Sequence, residues 1–218
     1  MSKVLLPSLD LSGKQMQNCL VFEQYRRIES INLKNNQLKS LNGMQHLSDV
    51  TSLDVSNNKL LSLFGITDIK SLKSLYCFDN NLEQFSEFQN FTSLKILVCS
   101  MNKFKQFSNM RSLSSLTVLN ASFCFINSLQ GVQELFNLEE LYVHSNQISD
   151  LQEIMCLKDL KLLKIIYFKH TDDQNPICDI VEYRKKVIQM IPKNVKILDR
   201  WTYELTISDE ERAEALRM

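Results

Sequence analysis

The residues of this chain that could perform acid–base, metal or phosphate chemistry are few and widely spaced. The histidines are His46, His144 and His170, and no two of them are close in the sequence. The chain has only 4 glycines, none of them in a phosphate-binding loop. A catalytic or metal centre needs several reactive groups in one place. The sequence therefore predicts no catalytic residue, metal, cofactor or small-molecule substrate.

The 6 cysteines are also scattered singly, without a Cys-x-x-Cys pair. Cys77 and Cys99 lie 22 residues apart. They occupy the same inward position in successive units of a 22-residue sequence repeat, so we expect neighbouring buried thiols rather than a disulfide or a metal pair. Unpaired cysteines are typical of a reducing compartment. The expected location is the cytoplasm, with the nucleus as the alternative.

Charge and hydropathy exclude two further classes of partner. The chain has 25 basic and 25 acidic residues, without the basic stripe that a phosphate backbone requires. No run of 18 apolar residues exists that could form a membrane span. We therefore expect neither a nucleic acid nor a membrane as partner.

The dominant feature of the sequence is a repeat of the form Leu-x-x-Leu-x-Leu-x-x-Asn. Seven units begin 22 residues apart, at Ile28, Val50, Leu72, Leu94, Leu116, Leu138 and Leu160. A fixed period in this range indicates a solenoid, in which each unit buries its apolar side chains against its neighbours. Such folds present a curved surface to other proteins rather than a reaction centre.

Each unit predicts a short strand followed by a tight turn. Over 74–77, alternation directs Leu75 and Cys77 inward. Position nine turns the chain away from the sheet, and it reads Asn36, Asn58, Asn80, Asn102, Cys124 and Asn146. Apolar residues then recur every three positions, which suits 3₁₀ or irregular turns. The predicted fold is a curved α/β solenoid with parallel strands on the concave face, such turns on the convex face and a helical C-terminal cap.

This pattern resembles the short, 22-residue class of leucine-rich repeat proteins over residues 28 to about 198. The class includes the leucine-rich light chain of axonemal dynein, a nuclear regulatory subunit of protein phosphatase 1 and the A-prime protein of the spliceosome. The resemblance implies a non-enzymatic adaptor for one or more larger proteins. It favours a ciliary, axonemal or cytoskeletal complex, and the phosphatase and spliceosomal roles are the alternatives.

The resemblance divides the chain into three segments. Residues 1–27 are predicted to be either a degenerate repeat, in which Lys14 replaces the asparagine, or a helical cap over 14–25. Residues 28–174 form the repeats. Residues 175–218 match the C-terminal cap of the class through Asn175-Pro176, Tyr183-Arg184 and Leu198-Asp199.

Within this cap, the pair Asp179 and Glu182 predicts the start of a helix that Pro192 ends. Ser208 and Glu211 predict a second, terminal helix. Trp201 is interpreted either as a partner anchor or as packing for that helix.

A polar insertion precedes the cap. In the class, Asn-Pro directly follows the last strand, which would place asparagine at position 168. Here Phe168 occupies that position, and the pair follows seven residues later, after 169–174. The insertion is either a contact loop at the rim of a binding face or a tolerated extension.

The strand positions that point away from the core predict the binding surface. They are polar in the first two units, and from Leu72 onward they become apolar and aromatic. The predicted partner-binding residues are Tyr76, Phe78, Ile96, Val98, Met101, Val118, Phe123, Tyr142, His144, Leu162, Lys164, Ile166 and Tyr167. A contiguous apolar surface of this kind is typical of a protein-interaction site. We expect it to receive an amphipathic helix or an extended segment, with Tyr76 and Tyr142 as anchors.

Overall fold

A computed structural model of the chain describes residues 6–25, 27–170, 173–199 and 201–202. The strands are β1 (Leu6–Asp10), β2 (Ile28–Asn32), β3 (Ser52–Asp54), β4 (Ser74–Tyr76), β5 (Ile96–Val98), β6 (Val118–Asn120), β7 (Glu140–Tyr142), β8 (Ile165–Tyr167), β9 (Lys169–His170), β10 (Asp173–Gln174), β11 (Ile197–Leu198) and β12 (Trp201–Thr202). Strands β1 to β8 and β11 lie side by side as a parallel sheet, which β12 extends in antiparallel orientation. This arrangement confirms the predicted leucine-rich repeat solenoid.

Strands β3 to β8 have three residues each, with one inward residue between two outward ones. In β3, Leu53 is buried, whereas Ser52 and Asp54 on either side are half-buried. Ser52 pairs with Ser74 of β4, and Ser74 pairs with Ile96 of β5, so equivalent residues form continuous rows across the sheet. The outward rows constitute the concave face.

The opposite side of the solenoid consists of turns and short 3₁₀ helices. These helices span Leu20–Gln24, Phe85–Phe88, Met110–Ser112, Val132–Glu134, Leu151–Leu157 and Pro176–Asp179. Most apolar residues that recur at every third position of these helices and turns are buried behind the sheet, and Leu151 is partly buried. Phe85 is central to this layer, since its ring centroid lies 4.2 Å from that of Phe104 and 4.8 Å from that of Phe107.

The asparagines at position nine form a hydrogen-bonded ladder along the solenoid. The amide nitrogen of Asn58 donates to the carbonyl oxygens of Val55, in its own unit, and Leu33, in the preceding one, each at 3.0 Å. Its amide oxygen accepts the backbone N–H of Leu38 at 2.9 Å. One side chain therefore satisfies buried backbone groups of two adjacent units, which would otherwise be costly to bury.

The N-terminal segment adopts the geometry of a repeat unit rather than an all-helical cap. Strand β1 pairs in parallel with β2, and Leu6 lies opposite Ile28, 22 residues later. The 3₁₀ helix Leu20–Gln24 follows on the convex side. The His46 Nε2 atom lies 2.9 Å from the carbonyl oxygens of both Phe22 and Tyr25, and this contact fastens the segment to the next unit.

The last repeat differs from the predicted frame. Glu140 of β7 pairs with Ile165 of β8, 25 residues later, so the prediction of an uninterrupted 22-residue register ending at Leu160 is wrong. The 3₁₀ helix in this unit, Leu151–Leu157, has 7 residues, against 3 in Val132–Glu134 of the preceding unit. The longer helix shifts the last strand by three residues.

The C-terminal cap closes the core as predicted, although its helix begins differently. Helix α1 spans Tyr183–Met190, and it buries Tyr183 and Val187. Glu182 precedes it in a left-handed conformation without a side-chain cap, and Asp179 belongs to the preceding 3₁₀ helix. The predicted capping box is therefore wrong. The terminal helix predicted from Ser208 onward and the side chain of Trp201 lie outside the described residues.

Candidate functional site

The concave face carries an apolar surface from β4 to β8, here called the concave patch. It consists of Tyr76, Phe78, Ile96, Val98, Met101, Val118, Phe123, Tyr142, Ile165 and Tyr167. Its rows follow the strand register: Ile96 lies opposite Val118, and Tyr142 lies opposite Tyr167. These side chains are half-buried or exposed, although each is large and apolar enough for a core. The patch contains nine of the thirteen residues that the sequence predicts to bind a partner.

The shifted register corrects three of the predicted positions. Ile166 is fully buried, because it is the inward residue of β8. Leu162 precedes β8 and is exposed, and Lys164 pairs with Glu139, at an Nζ–Oε2 distance of 2.5 Å, at the beginning of the strands. The outward residues of β8 are instead Ile165 and Tyr167. Ile165 joins the concave patch, and Ile166 leaves the surface entirely.

Aromatic rings continue the patch at its C-terminal end. The rings of Tyr142 and Tyr167 stack with centroids 5.1 Å apart, and the Tyr142 hydroxyl donates to Glu140 Oε2 at 2.7 Å. Burial and this hydrogen bond raise the pKa of Tyr142, so it remains a neutral phenol. His144 is buried, stacks on His170 at 5.1 Å and meets Phe123 edge-on at 5.2 Å. The predicted contact residue His144 is therefore largely covered by the rings of Phe123 and His170.

A residue with positive φ follows each of the strands β2 to β7, and the composition of this row changes inside the concave patch. Asn35, Asn57 and Asp79 occupy it in the earlier units. Met101 (φ 55°) and Phe123 (φ 52°) occupy it in the next two. Asparagine and aspartate tolerate this region, whereas a bulky side chain there is strained. Met101 and Phe123 are nevertheless 50% and 42% exposed, so their apolar surface gains little from folding.

One exposed aromatic residue was missed by the sequence analysis. Phe125 is 49% exposed and follows Phe123 by two residues. The position is polar in the neighbouring units, with Lys103 before it and Gln147 after it. This replacement of a polar residue by phenylalanine was the signal available in the sequence.

The N-terminal part of the same face is polar. The outward residues of β2 and β3 are Ser30, Asn32, Ser52 and Asp54. The Lys34 ammonium lies 5.1 Å from the centre of the Phe78 ring, a cation–π contact at the border of the two regions. The concave face therefore changes from polar to apolar at β4.

The insertion after β8 forms a small hairpin beside the patch. Strands β9 and β10 pair in antiparallel orientation, and this hairpin carries His170 to its stack against His144. Asn175 then takes the ladder position, since its amide donates to the carbonyl oxygen of Val143 at 2.8 Å and that of Phe168 at 3.0 Å. Phe168 thus occupies an inward position rather than the expected asparagine position.

The positions of the cysteines in the fold make them unreactive thiols. All 6 are free, and Cys77 and Cys99 are fully buried in the core. Burial raises the pKa of Cys77 and Cys99 well above the ordinary value and that of Cys124 to about 11, which keeps them protonated at neutral pH.

The described residues meet the requirements of neither a metal site nor a membrane-spanning helix. No three histidine, cysteine or acidic side chains among these residues converge in a way that could hold a metal ion. None of the helices described has the length and apolar character needed to cross a bilayer.

Comparisons with solved structures agree on the fold. The internalin C2 of Listeria monocytogenes str. 4b F2365 superposes with a TM-score of 0.73 at 20% identity, over 88% of this chain and 79% of that one. An internalin F from the same strain gives a TM-score of 0.72 at 15% identity, over 86% of this chain and 52% of that one. A leucine-rich repeat protein of Leptospira interrogans gives 0.55 at 17% identity, over 84% of this chain and 63% of that one.

These likenesses define a leucine-rich repeat protein that is structurally like the internalin repeat domains. At such identities they concern the fold alone. The chain spans about half the length of the internalin F structure. No family model and no curated protein sequence matches the chain.

Proposed function

We propose that this protein is a non-enzymatic adaptor that docks a helix or an extended segment of a larger protein on its concave patch. Leucine-rich repeat proteins are generally protein-binding proteins, and this fold offers a continuous sheet surface for the purpose. The partner-binding residues are those of the concave patch, together with Phe125 and His144.

The observation that carries the proposal is the placement of Met101 and Phe123. Both side chains are large, apolar and exposed at positive φ, where the preceding units use asparagine or aspartate. Neither exposure nor backbone strain of about 1 kcal/mol per residue helps the chain to fold. A surface that keeps both features is explained if a partner buries these side chains.

The assembly that contains the partner is proposed from the resemblance to the 22-residue class. An axonemal or cytoskeletal complex in the cytoplasm or cilium is the first proposal. A regulatory subunit of a protein phosphatase and a nuclear spliceosomal scaffold are the alternatives. The identity of the captured partner distinguishes the three.

The test is affinity purification with mass spectrometry, comparing the wild type with Val98→Glu/Tyr142→Glu. We expect the variant to lose one set of partners, because two charges would enter the centre of the apolar contact. The matched control is Phe64→Glu/Phe136→Glu, which places the same charges at exposed phenylalanines of the turns outside the patch. The control should retain those partners.

Circular dichroism checks that the variants fold. Because Val98 is half-buried, a second variant, Met101→Glu/Phe123→Glu, changes only exposed side chains. If folded protein of either patch variant keeps every partner of the wild type, the concave patch is not the binding site. Loss of partners only in the control would transfer the site to the turns.

A further inference from the structure

The apolar rows of the concave patch end, on the N-terminal side, at two carboxylates. Asp54 of β3 lies opposite Tyr76 of β4, so it is the neighbour of the first aromatic residue in its row. Asp79 precedes Met101 in the row of positive-φ residues, one unit earlier. The two rows therefore change from acidic to apolar at the same side of the patch.

These carboxylates are only partly engaged within the chain. Asp54 Oδ1 accepts the backbone N–H of Ser56 at 2.9 Å, and Asp79 Oδ2 accepts the Asn57 amide at 2.7 Å. Both are hydrogen bonds from neutral donors, so the negative charges remain. Both side chains are half-buried, which weakens their screening by water.

Neither carboxylate belongs to an ion pair in the described ranges. In the described ranges, the ion pairs join Lys164 with Glu139 and Lys185 with Glu182. Lys34 places its ammonium over the Phe78 ring. The N-terminal border of the patch therefore carries two carboxylates without an ion-pair partner among the described residues, and one ammonium, that of Lys34.

The opposite border is different in chemistry. Tyr142 and Tyr167 are stacked there, and the one carboxylate among them, that of Glu140, already accepts the Tyr142 hydroxyl. A segment lying along the patch would therefore meet negative charge at one end and aromatic rings at the other. This asymmetry selects both the composition of the segment and its direction.

We infer that the occupant of the concave patch is a protein segment with apolar side chains along one side and lysine or arginine at the end that lies over β3 and β4. The inference rests on the proposed function and adds the chemistry and orientation of the partner. A basic end pairs with Asp54 and Asp79 beside an apolar contact, whereas an acidic end would be repelled.

The test is selection of binding peptides from a random displayed library. Six strands about 4.8 Å apart span the length of a helix of about 16 residues, which sets the peptide length. We expect the selected peptides to be amphipathic and enriched in lysine or arginine at one end. The affinities of two synthesised peptides are then measured by fluorescence anisotropy.

The key variant is Asp54→Asn/Asp79→Asn, which retains acceptor oxygens for the existing hydrogen bonds. It should weaken peptide binding about 3- to 10-fold at low ionic strength, and by less at about 0.5 M salt. The matched control is Asp10→Asn, an exposed aspartate in the Asp54 row but two strands away. Its effect should be less than about 2-fold.

The outcomes separate this inference from the proposed function. Peptides that bind the wild type and fail to bind Val98→Glu/Tyr142→Glu establish the patch as a docking surface. If such peptides lack a basic end and bind Asp54→Asn/Asp79→Asn as tightly as the wild type, the inference is wrong and the docking site stands. If they bind Val98→Glu/Tyr142→Glu unchanged, the docking site itself is wrong.

Discussion

The units before β5 and the two units that contain β5 and β6 share one backbone plan but differ in composition. In the earlier units the turn residues suit their conformations: Asn35 and Asn57 at positive φ, and Asn58 in the ladder. In the later two, Met101 and Phe123 occupy the positive-φ row, and Cys124 interrupts the ladder. The earlier region shows what the fold requires. The departures of the later region lie in the concave patch or directly beside it.

The largest expected effect comes from removing an intact rung of the ladder. Asn80 donates to the carbonyl oxygens of Val55 at 3.0 Å and Cys77 at 3.2 Å, and it accepts the Leu60 N–H at 2.9 Å. Asn80→Ala leaves these buried groups unpaired, so we expect the free energy of unfolding to fall by about 3 kcal/mol or more. Urea denaturation measures this.

The matched variant is Cys124→Ala at the interrupted rung. The Cys124 Sγ atom lies 3.4 Å from the backbone carbonyl oxygen of Ser122 and 3.8 Å from that of Cys99. A thiol is a weak hydrogen-bond donor, so both contacts are weak. We expect a loss of about 1 kcal/mol. Equal losses in the two alanine variants would show that the ladder does not distinguish the two regions.

The second prediction repairs the ladder. Cys124→Asn supplies an amide where the neighbouring units have Asn102 and Asn146. We expect the free energy of unfolding to rise by about 1–2 kcal/mol, because the new amide can bond backbone groups of two units. Urea denaturation again provides the measurement. A loss of stability would mean that the buried site is shaped for the thiol and cannot hold the amide.

The third prediction concerns the positive-φ row. Met101→Asn and Phe123→Asn should each stabilise the fold by about 0.5–1 kcal/mol, because asparagine adopts this conformation more readily. Both should weaken partner binding. The reciprocal control is Asn35→Met, at φ 58°, which should destabilise by a similar amount. If Met101→Asn and Phe123→Asn lower the thermal midpoint instead, these side chains serve the fold and not a partner.

The smallest effect is expected at the cap, where a buried carboxylate accepts hydrogen bonds from the last repeat and from helix α1. Asp199 Oδ1 accepts the backbone N–H groups of Phe168 at 2.7 Å and Lys169 at 2.9 Å, and its Oδ2 accepts the Tyr183 hydroxyl at 3.0 Å. Burial, opposed by the hydrogen bonds from these groups, raises the pKa of Asp199 above its ordinary value of 3.8.

The sign of the pH dependence follows from this raised pKa. The folded state holds the proton more tightly than the unfolded state, so the stability from this group is fully present below pH 3.8 and is lost as the pH rises through the folded-state pKa. Asp199→Asn should remove this loss. The pH-dependent loss is measured from the urea midpoints of the wild type and of Asp199→Asn between acidic and neutral pH. Parallel pH profiles would contradict the raised pKa.

The periodic parts of the fold were predictable because their side chains repeat. Leu53 and Leu75, 22 residues apart, indicated both the inward row and the parallel pairing that the structure contains. The register of β8 was not predictable in the same way. Leu160-x-x-Leu163-x-Ile165 fits the repeat as well as Leu163-x-x-Ile166-x-Phe168, and the length of the intervening helix decides between them.

The candidate site was predictable only as far as this register held. Tyr76, Val98 and Val118 follow from alternation along their strands. The alternation also pointed to Ile166, which the lengthened unit carries into the core. Positive φ at Met101 and Phe123 depends on the turn geometry, so the strain at these residues became visible only in the structure.

The ladder also determines how a disturbance travels along the molecule. Each asparagine bonds the unit before it, so neighbouring units are coupled like members of a one-dimensional cooperative chain. Cys124 is the weakest coupling among the described units, and it lies between Phe123 and Phe125 in the sequence. Local opening should therefore begin at this joint, dividing the solenoid into two blocks. A bound segment that contacts repeat units on both sides of Cys124 would oppose this local opening.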